Sequence, residues 1–211
     1  KETKRFIAKF TKKEIKIIPY KFNAKKTKNI NNPLKRFYDF IFVGRIIKDK
    51  RIDLIIDIVK KISDKIPNQK FCFIISGDSK IKINKLPNTK IFFKFNLRNA
   101  RVLEYMEKSK FYLNLSDREG MSMSTIESIQ SGCIPIARPV GEIKNYVSNN
   151  TALLVNNVDE KSLDDVVNKL IKIYNNKKKL CKMQKLGMKK VDKLPNYTIT
   201  LRDTLICKLN I

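Results

Sequence analysis

The sequence predicts an α/β fold built on a Rossmann-like, doubly wound parallel sheet. Two observations lead to this prediction. From Tyr38 onward, short apolar runs typical of strands buried on both faces alternate with stretches whose apolar residues recur every three or four positions. Strands and helices repeated in this way form βαβ units, and the parallel strands of such units are covered by helices on both faces of the sheet.

The predicted strands are short and strongly apolar. The first, "YDFIFVG", closes on Gly44 and has no polar side chain after Asp39. A continuous apolar run of this kind is typical of a strand buried on both faces. In chain order, the predicted strands occupy residues 38–44, 70–78, 90–95, 110–116, 133–137 and 151–155.

The predicted helices between these strands are amphipathic. In "KRIDLIIDIVKKISDKI" (50–66), apolar residues recur at steps of three and four with charges between them, and Pro67 ends the pattern. Gly132 is expected to cap the helix at 123–131. The remaining helices are predicted at 99–109, 142–148, 160–175 and 177–190.

The two ends of the chain differ from this alternating region. Residues 1–37 contain one apolar run, "EIKIIPY" (14–20), followed by a polar stretch, which indicates an edge strand or linker and then an exposed loop. We therefore expect a linker or edge segment at 1–37, a Rossmann-like domain at 38–176 and a C-terminal helical extension at 177–211. Residues 196–211 could form a final helix or a mobile tail.

The charge balance is strongly basic, with 46 Lys and Arg against 20 Asp and Glu among 211 residues, a formal net charge of +26. Such an excess attracts nucleic acid, acidic membrane or phosphorylated small molecules. Lys, Asn and Ile are all abundant, so a biased coding sequence also explains the excess. Because the basic residues are spread along the whole chain, charge alone identifies no partner.

The four cysteines are Cys72, Cys133, Cys181 and Cys207; they show no CxxC spacing, and the chain has no histidine. A structural zinc site would need all four thiolates to converge from distant segments. Cysteines inside apolar runs are instead expected to be small core residues in a reducing compartment. No apolar run approaches the roughly 18 residues of a membrane span, and no signal-peptide pattern opens the chain.

Ligands of open parallel sheets bind beyond the carboxyl ends of the strands. The loop "GRIIKDK" follows the first strand, where Gly44 permits a tight exit and Arg45 and Lys50 supply two cations suited to a diphosphate. The alternative is that both are ordinary surface cations. The loop matches neither a Walker nor a GxGxxG pattern.

A second loop, "SGDSK", follows the strand at 70–78. The simpler interpretation of Gly77 and Asp78 is a turn, and the functional one is a wall for the base or ribose of a ligand.

The stretch "SDREGMSMSTIE" contains two glutamates, Glu119 and Glu127, eight positions apart. Both "SDRE" and "STIE" match a capping box. The spacing also allows the two carboxylates to contact opposite ends of one extended ligand, because eight helical positions rise about 12 Å. The amides that would then meet phosphate, at a helix N-terminus, belong to Gly120, Met121, Ser122 and Met123.

Three stretches, "VGRIIKDKRIDLIIDIV", "SDREGMSMSTIESIQSGCIPIA" and "RPVGEIKNYV", together resemble the C-terminal, donor-binding domain of GT-B glycosyltransferases of the retaining family 4 (glycosyl transferases group 1). The hallmark of that family is a Glu-x7-Glu motif, met here by Glu119 and Glu127. The resemblance extends from "IKIIPY", which is similar to the interdomain segment of the family, to the helix near 175. It implies that residues 38–176 are a nucleotide-sugar-binding domain, one half of a GT-B fold.

The resemblance also implies a role for each matching residue. Arg45 and Lys50 would bind the donor diphosphate, Glu119 the hydroxyls of the transferred sugar, and Glu127 the ribose hydroxyls. The amides at 120–123 would meet sugar and phosphate, and Gly77 with its neighbours would flank the base. The reaction would be glycosyl transfer with retention to a glycan or lipid-linked acceptor, without a metal or other cofactor.

Three positions depart from the family pattern. Arg51, Ser122 and Glu142 stand where the family usually has glycine or a small residue. Ser122 adds a side chain where the backbone closely approaches the ligand, so the identity of the donor is not determined by the resemblance.

The resemblance further implies a partner, the N-terminal GT-B domain that supplies acceptor contacts and a histidine. We therefore expect an excised or truncated domain that binds nucleotide sugar and catalyses little by itself. The alternative function is a basic module for nucleic acid or anionic membrane. A cytoplasmic enzyme with peripheral membrane association is compatible with both hypotheses, whereas nucleic acid is disfavoured as the main ligand.

Overall fold

The computed structural model describes residues 9–10, 32–78, 83, 86 and 88–194. By its contacts the chain divides into two units, residues 24–192 and residues 1–23 with 193–211, and the fold and site described below belong to the first unit. The predicted edge strand at 14–20 and the C-terminal segment 196–211 lie outside the described residues. The predicted domain bounds at 37 and 176 stay predictions.

Among the described residues, six parallel strands form one sheet, as predicted. They are β1 (Tyr38–Arg45), β2 (Gln69–Ser76), β3 (Thr89–Phe95), β4 (Ser109–Asn114), β5 (Ile134–Ala137) and β6 (Leu153–Leu154). Their order in the sheet is β3-β2-β1-β4-β5-β6. This order is that of the doubly wound Rossmann fold, so the predicted fold class is confirmed.

Six α-helices lie in the described part of this unit. They are α1 (Ile52–Lys65), α2 (Asn99–Glu107), α3 (Met123–Gln130), α4 (Ile143–Tyr146), α5 (Glu160–Tyr174) and α6 (Lys177–Asp192). A short 3-10 turn at Lys48–Lys50 links β1 to α1. No helix among the described residues is both long and apolar enough to cross a membrane.

The core occupies both faces of the sheet. On one face Phe40 lies in register with Phe71 of β2 and Phe111 of β4, and its ring stacks on theirs with centroids 4.7 and 5.4 Å apart. Apolar residues of α1, α5 and α6 cover this face. The opposite face, which includes Ile41 and Cys72, packs against α2. The continuous apolar runs are therefore explained by helices on both sides.

One predicted strand differs in its environment. The run at 90–95 is predicted as a buried strand, but β3 pairs only with β2 and lies at the edge of the sheet. Its residues are half-buried or exposed. Phe95, at its end, keeps half of its surface exposed. Strand order, which the local sequence does not encode, separates an edge strand from a central one.

The prediction that the cysteines are small core residues is confirmed for two of them. Cys72 and Cys133 are free and buried in the core, and burial raises the pKa of each thiol to about 12. Cys181 is free but only half-buried on α6, so the prediction of a core residue is wrong there. Cys207 lies outside the described residues.

Candidate functional site

The crevice at the carboxyl ends of β1 and β4 forms the candidate site. The chain winds from β1 toward β3 on one side and from β4 toward β6 on the other, so these two adjacent strands mark the point where the winding reverses. Loops that leave a sheet in opposite directions open a ligand crevice there. A backbone hydrogen bond connects the two loops: the Asp117 N–H donates to the Asp49 carbonyl, with 2.8 Å between the nitrogen and the oxygen.

An ion pair crosses this crevice. Lys50, at the end of the 3-10 turn after β1, places its Nζ 2.7 Å from Oε1 of Glu119, in the loop after β4. The Glu119 side chain is only 10% exposed and that of Lys50 23% exposed. The structure therefore brings together the cation and the carboxylate that the sequence predicts for phosphate and sugar. Their predicted roles in ligand binding stay predictions.

The side chain of Asn114 makes several hydrogen bonds next to this ion pair. Asn114 ends β4, is buried, and donates through Nδ2 to Glu119 Oε1 at 3.4 Å and to the hydroxyls of Ser122 and Thr125 at 2.9 Å each. Its Oδ1 accepts from the amide and hydroxyl of Ser116. Sequence analysis missed this residue. Its only signal is a single amide side chain inside the apolar run "KFYLNLS".

Ser122 is the N-cap residue of α3, and its surroundings account for its departure from the family pattern. Its backbone is left-handed, with φ 52° and ψ 72°, a conformation that glycine adopts most readily. Its hydroxyl lies 2.9 Å from Asn114 Nδ2 and 2.8 Å from Thr125 Oγ1, inside the protein. The side chain is thus bonded beneath the loop, and Met123 begins the helix at the crevice.

The capping interpretation of the two glutamates is wrong. Ser122 is the N-cap residue of α3, whereas Ser116 bonds to Asn114, and Ser124 lies within the helix, where its hydroxyl accepts from Tyr112. Glu119 bonds to Lys50 in the loop before α3. Glu127, within α3, accepts a hydrogen bond from Asn99 of α2 at 3.1 Å. The two carboxylates therefore have separate partners on separate elements, and their role at two ends of one ligand stays a prediction.

Gly141 supports the backbone that carries Glu119. Its φ is +56°, and a Cβ built on it would lie 1.8 Å from the Glu119 carbonyl oxygen and 2.8 Å from that of Gly120. The next amide, of Glu142, donates to the Gly120 carbonyl at 3.0 Å. Position 141 therefore requires glycine. Glu142, in contrast, has an ordinary right-handed backbone conformation, with φ −84°.

Asp117 anchors the same loop from its other end. Its carboxylate pairs with Arg51, at 3.3 Å, and with Arg138, which follows β5. Arg51 has a left-handed φ of 46°, at a position where the family resemblance implies glycine, and its guanidinium also pairs with Asp53 at 2.8 Å. The Arg51–Asp117–Arg138 cluster ties three strand ends together. Sequence analysis singled out Arg51 only as a departure and missed the other two.

The remaining predicted residues lie around the crevice edge with fewer contacts. Arg45 is the last residue of β1 and is exposed, and a Cβ on the preceding Gly44 would touch the ring of Phe42 at 3.2 Å. Gly77, with φ +88°, donates its amide to Asn96 Oδ1 at 2.7 Å, and Asp78 is exposed. Gly77 and Asp78 lie in a bend after β2, and both the turn interpretation and the role beside a base stay predictions.

Burial makes Glu127 sensitive to pH. Desolvation raises the pKa of its carboxyl, and the hydrogen bond from Asn99 opposes that shift. The folded chain therefore holds this proton more tightly than the unfolded chain does. It follows that the free energy of unfolding falls as pH rises from the ordinary glutamate pKa through the raised one.

We expect Glu127→Gln to remove this decline. At neutral pH the variant should unfold at a higher temperature than the wild type, because it buries no carboxylate charge. Below the ordinary glutamate pKa the two should unfold together, since the wild-type carboxyl is then also neutral. Thermal unfolding of both proteins at the two pH values measures this, and an equal difference at both values would contradict it.

Comparisons with known proteins agree with the fold class and with the family that the sequence resembles. The family model "Glycosyl transferases group 1" matches residues 9–189. Glycogen synthase of Thermodesulfovibrio yellowstonii is 28% identical over 156 residues, which cover 71% of this chain and 31% of that protein. The chain therefore spans about a third of the length of this curated relative.

Solved structures share the fold at low identity. The C-terminal domain of a glycosyl transferase group 1 family protein (LpcC) from Francisella tularensis has a TM-score of 0.62 at 18% identity, covering 83% of this chain and 94% of that one. A TarM mutant of S. aureus in complex with Fondaparinux, alpha-GlcNAc-glycerol and UDP has a TM-score of 0.73 at 18% identity, covering 97% of this chain and 42% of that one.

Proposed function

The chain belongs to the glycosyl transferases group 1 family, and from this premise we propose that it is the part of a retaining glycosyltransferase that binds the nucleotide-diphosphate sugar. The observation that carries the proposal is the junction of Lys50, Glu119 and the start of α3 at the reversal point of the sheet. A cation, a carboxylate and a helix N-terminus converge there, as a ligand with one anionic and one polyhydroxyl part requires.

The diphosphate binds between Lys50, Arg45 and the first amides of α3. The Lys50 ammonium has three donors, and its bond to Glu119 leaves it able to contact phosphate as well. The N-terminus of α3 adds partial positive charge at Met123. The UDP present in the TarM complex supports a nucleotide diphosphate as the class of ligand.

The two carboxylates bind the two polyhydroxyl ends of the donor. Glu119 accepts hydrogen bonds from the transferred sugar, and its place beside Lys50 puts that sugar next to the diphosphate. Glu127, on α3, accepts from the ribose hydroxyls, while Gly77 and Asp78 flank the base. Ribose donors would compensate the buried charge of Glu127, whose pKa desolvation raises.

In the intact enzyme an acceptor hydroxyl replaces the nucleoside diphosphate at the anomeric carbon, on the same face of the sugar. The bond between that carbon and the diphosphate oxygen breaks, negative charge develops on the leaving group, and the departing phosphate oxygen accepts the proton of the acceptor hydroxyl. Lys50, Arg45 and the α3 amides stabilise this charge without a metal. The acceptor contacts come from an N-terminal domain, so this chain alone binds donor and transfers little.

The variant Glu119→Gln tests the sugar end of the site independently of the phosphate end. We expect this variant to bind the nucleotide sugar about tenfold or more weakly, since hydrogen bonds to a charged group contribute about 1.5–3 kcal/mol. Binding of the nucleoside diphosphate should stay the same or tighten, because Lys50 loses its competing anion. Calorimetric titration with UDP, GDP, ADP and their glucose forms measures both.

The matched variant for the ribose end is Glu127→Gln, which should weaken both kinds of ligand equally, because both contain ribose. If Glu119→Gln weakened the nucleoside diphosphate as much as the nucleotide sugar, Glu119 would not face the sugar. If none of these ligands bound the folded wild type at millimolar concentration, the assignment of the site would be abandoned.

A further inference from the structure

Helix α6 carries a charge that the other long helices lack. Its sequence contains seven lysines and one aspartate. The similarly long amphipathic helices α1 and α5 each contain three lysines and three carboxylates. A bias toward lysine codons in the coding sequence would raise the number of lysines in all three of these surface helices. The excess on α6 is therefore a local feature of this part of the protein.

The lysines of α6 form one exposed face. Lys178, Lys182, Lys185 and Lys189 follow each other at steps of four, three and four, which places them along one side of the helix, and all four are exposed. We call this surface the α6 lysine face. Leu186 lies among these lysines and is itself 38% exposed. The opposite side of the helix packs on the domain through Leu180, Met183, Gln184, Gly187 and Val191.

A cavity of about 430 Å³ opens beside the N-terminal part of this face. Lys178, Lys179 and Lys182 line it together with Asn149 and Asn150. The α6 N-terminus also faces this region, where the Asn176 side chain accepts from the Lys179 amide at 2.9 Å. Lysine ammonium groups and amide side chains around a cavity of this size suit a phosphate headgroup.

The α6 lysine face lies away from the nucleotide crevice. Gln184 donates to the Gly132 carbonyl at 3.0 Å, and a Cβ on Gly187 would contact Ile129 at 3.4 Å. Both contacts are at the C-terminal end of α3, whereas the crevice lies at its N-terminal end. A partner on this face would therefore leave the donor site open.

We propose that the α6 lysine face binds the anionic phospholipid headgroups of a membrane surface, with the adjoining cavity receiving a headgroup phosphate. Charge complementarity selects an anionic surface, and two features of α6 favour a bilayer over nucleic acid. The helix contains no aromatic residue that could stack on bases and no arginine, whose rigid planar fork suits nucleic-acid recognition better than the lysine ammonium does. An exposed leucine among lysines suits the boundary between headgroups and acyl chains.

The test is sedimentation of the full chain with vesicles of equal parts phosphatidylcholine and phosphatidylglycerol, with pure phosphatidylcholine as the neutral surface. We expect binding to the anionic vesicles alone. Replacing the four lysines of the face by glutamine (K178Q, K182Q, K185Q, K189Q) should weaken binding on the order of a hundredfold or more, because each lysine near an anionic bilayer contributes about 1 kcal/mol.

The matched control replaces four exposed lysines outside α6, namely Lys60, Lys90, Lys161 and Lys169, by glutamine. Both variants lose the same net charge, so an equal loss of binding would overturn the proposal in favour of net charge. Absence of binding to anionic vesicles would overturn it too, as would tighter, α6-dependent binding to duplex DNA. The inference does not rest on the donor site, because calorimetry with nucleotides reports that site separately.

Discussion

Gly141→Ala is expected to destabilise the protein and to weaken nucleotide-sugar binding together. The new methyl group would occupy the position of the Glu119 carbonyl oxygen, 1.8 Å from the ideal Cβ, and the obstacle is backbone. The residue also has φ +56°, which alanine adopts at a cost of about 1 kcal/mol. With overpacking of about 1–3 kcal/mol, the free energy of unfolding should fall by about 2–4 kcal/mol.

The loss of binding follows from the residue that must move. To relieve the contact, the backbone at Glu119 and Gly120 has to shift, and the Lys50–Glu119 pair shifts with it. We expect at least a tenfold loss of affinity for the nucleotide sugar in whatever fraction stays folded, measured by calorimetry after the folded fraction has been determined by circular dichroism.

Gly120→Ala is the matched control for stability, because an added Cβ there has no atom within 4 Å. Chemical denaturation of the two variants should therefore differ clearly, with Gly120→Ala close to the wild type. Equal stability of both alanine variants would show that the backbone of the loop at 141 can shift at little cost in the free energy of unfolding, and that it does not hold Glu119 in place.

Lys50→Ala is expected to weaken binding of nucleoside diphosphates and nucleotide sugars about 10–100-fold, since it removes a charge-assisted bond of about 1.5–3 kcal/mol to phosphate. The substitution also leaves the Glu119 carboxylate, only 10% exposed, with the Asn114 bond at 3.4 Å. Some loss of stability should follow, below the full cost of breaking a fully buried pair because Lys50 itself is partly exposed.

The two effects of Lys50→Ala can be separated. In the double variant with Glu119→Gln the uncompensated charge is gone, so stability should recover, while the affinity for nucleoside diphosphate stays low. Lys48→Ala removes an exposed lysine from the same 3-10 turn and is the control for general charge. If Lys48→Ala lowered affinity as much as Lys50→Ala, the diphosphate would not bind at Lys50.

The sequence predicted the secondary structure well because local patterns determine it. The apolar runs from Phe40, Phe71 and Phe111 became neighbouring central strands, and the periodic stretches became helices on both faces. The edge position of β3 could not be predicted, since it depends on the order of strands in the sheet. Glu119, Glu127 and Lys50 were predicted as site residues. The structure pairs Lys50 with Glu119 across the crevice, whereas the predicted role of Glu127, which accepts from Asn99, stays a prediction.

The supporting residues were missed for a physical reason. Asn114, Asp117 and Arg138 act through contacts between loops that are far apart in the chain, and each looks like an ordinary polar residue at a strand end. The capping boxes failed for the converse reason, because a local pattern competed with tertiary bonds. Ser124 bonds to Tyr112 and Glu127 to Asn99, so neither side chain caps α3.

The left-handed residues show how this chain accommodates its departures from the family. Arg51 and Ser122 both hold positive φ, at positions where the family resemblance implies glycine. Their side chains offset that cost, Arg51 by ion pairs to Asp53 and Asp117, and Ser122 by buried bonds to Asn114 and Thr125. Each departure is therefore held in the left-handed conformation by contacts of its own side chain.

The most direct test of the donor site is a crystal structure of this chain with a nucleoside diphosphate that calorimetry has shown to bind. We predict phosphate oxygens within hydrogen-bond distance of Lys50 Nζ and of the amides at the start of α3, with the ribose hydroxyls on Glu127. A nucleotide bound elsewhere on the domain, with Lys50 still paired only to Glu119, would contradict the assignment.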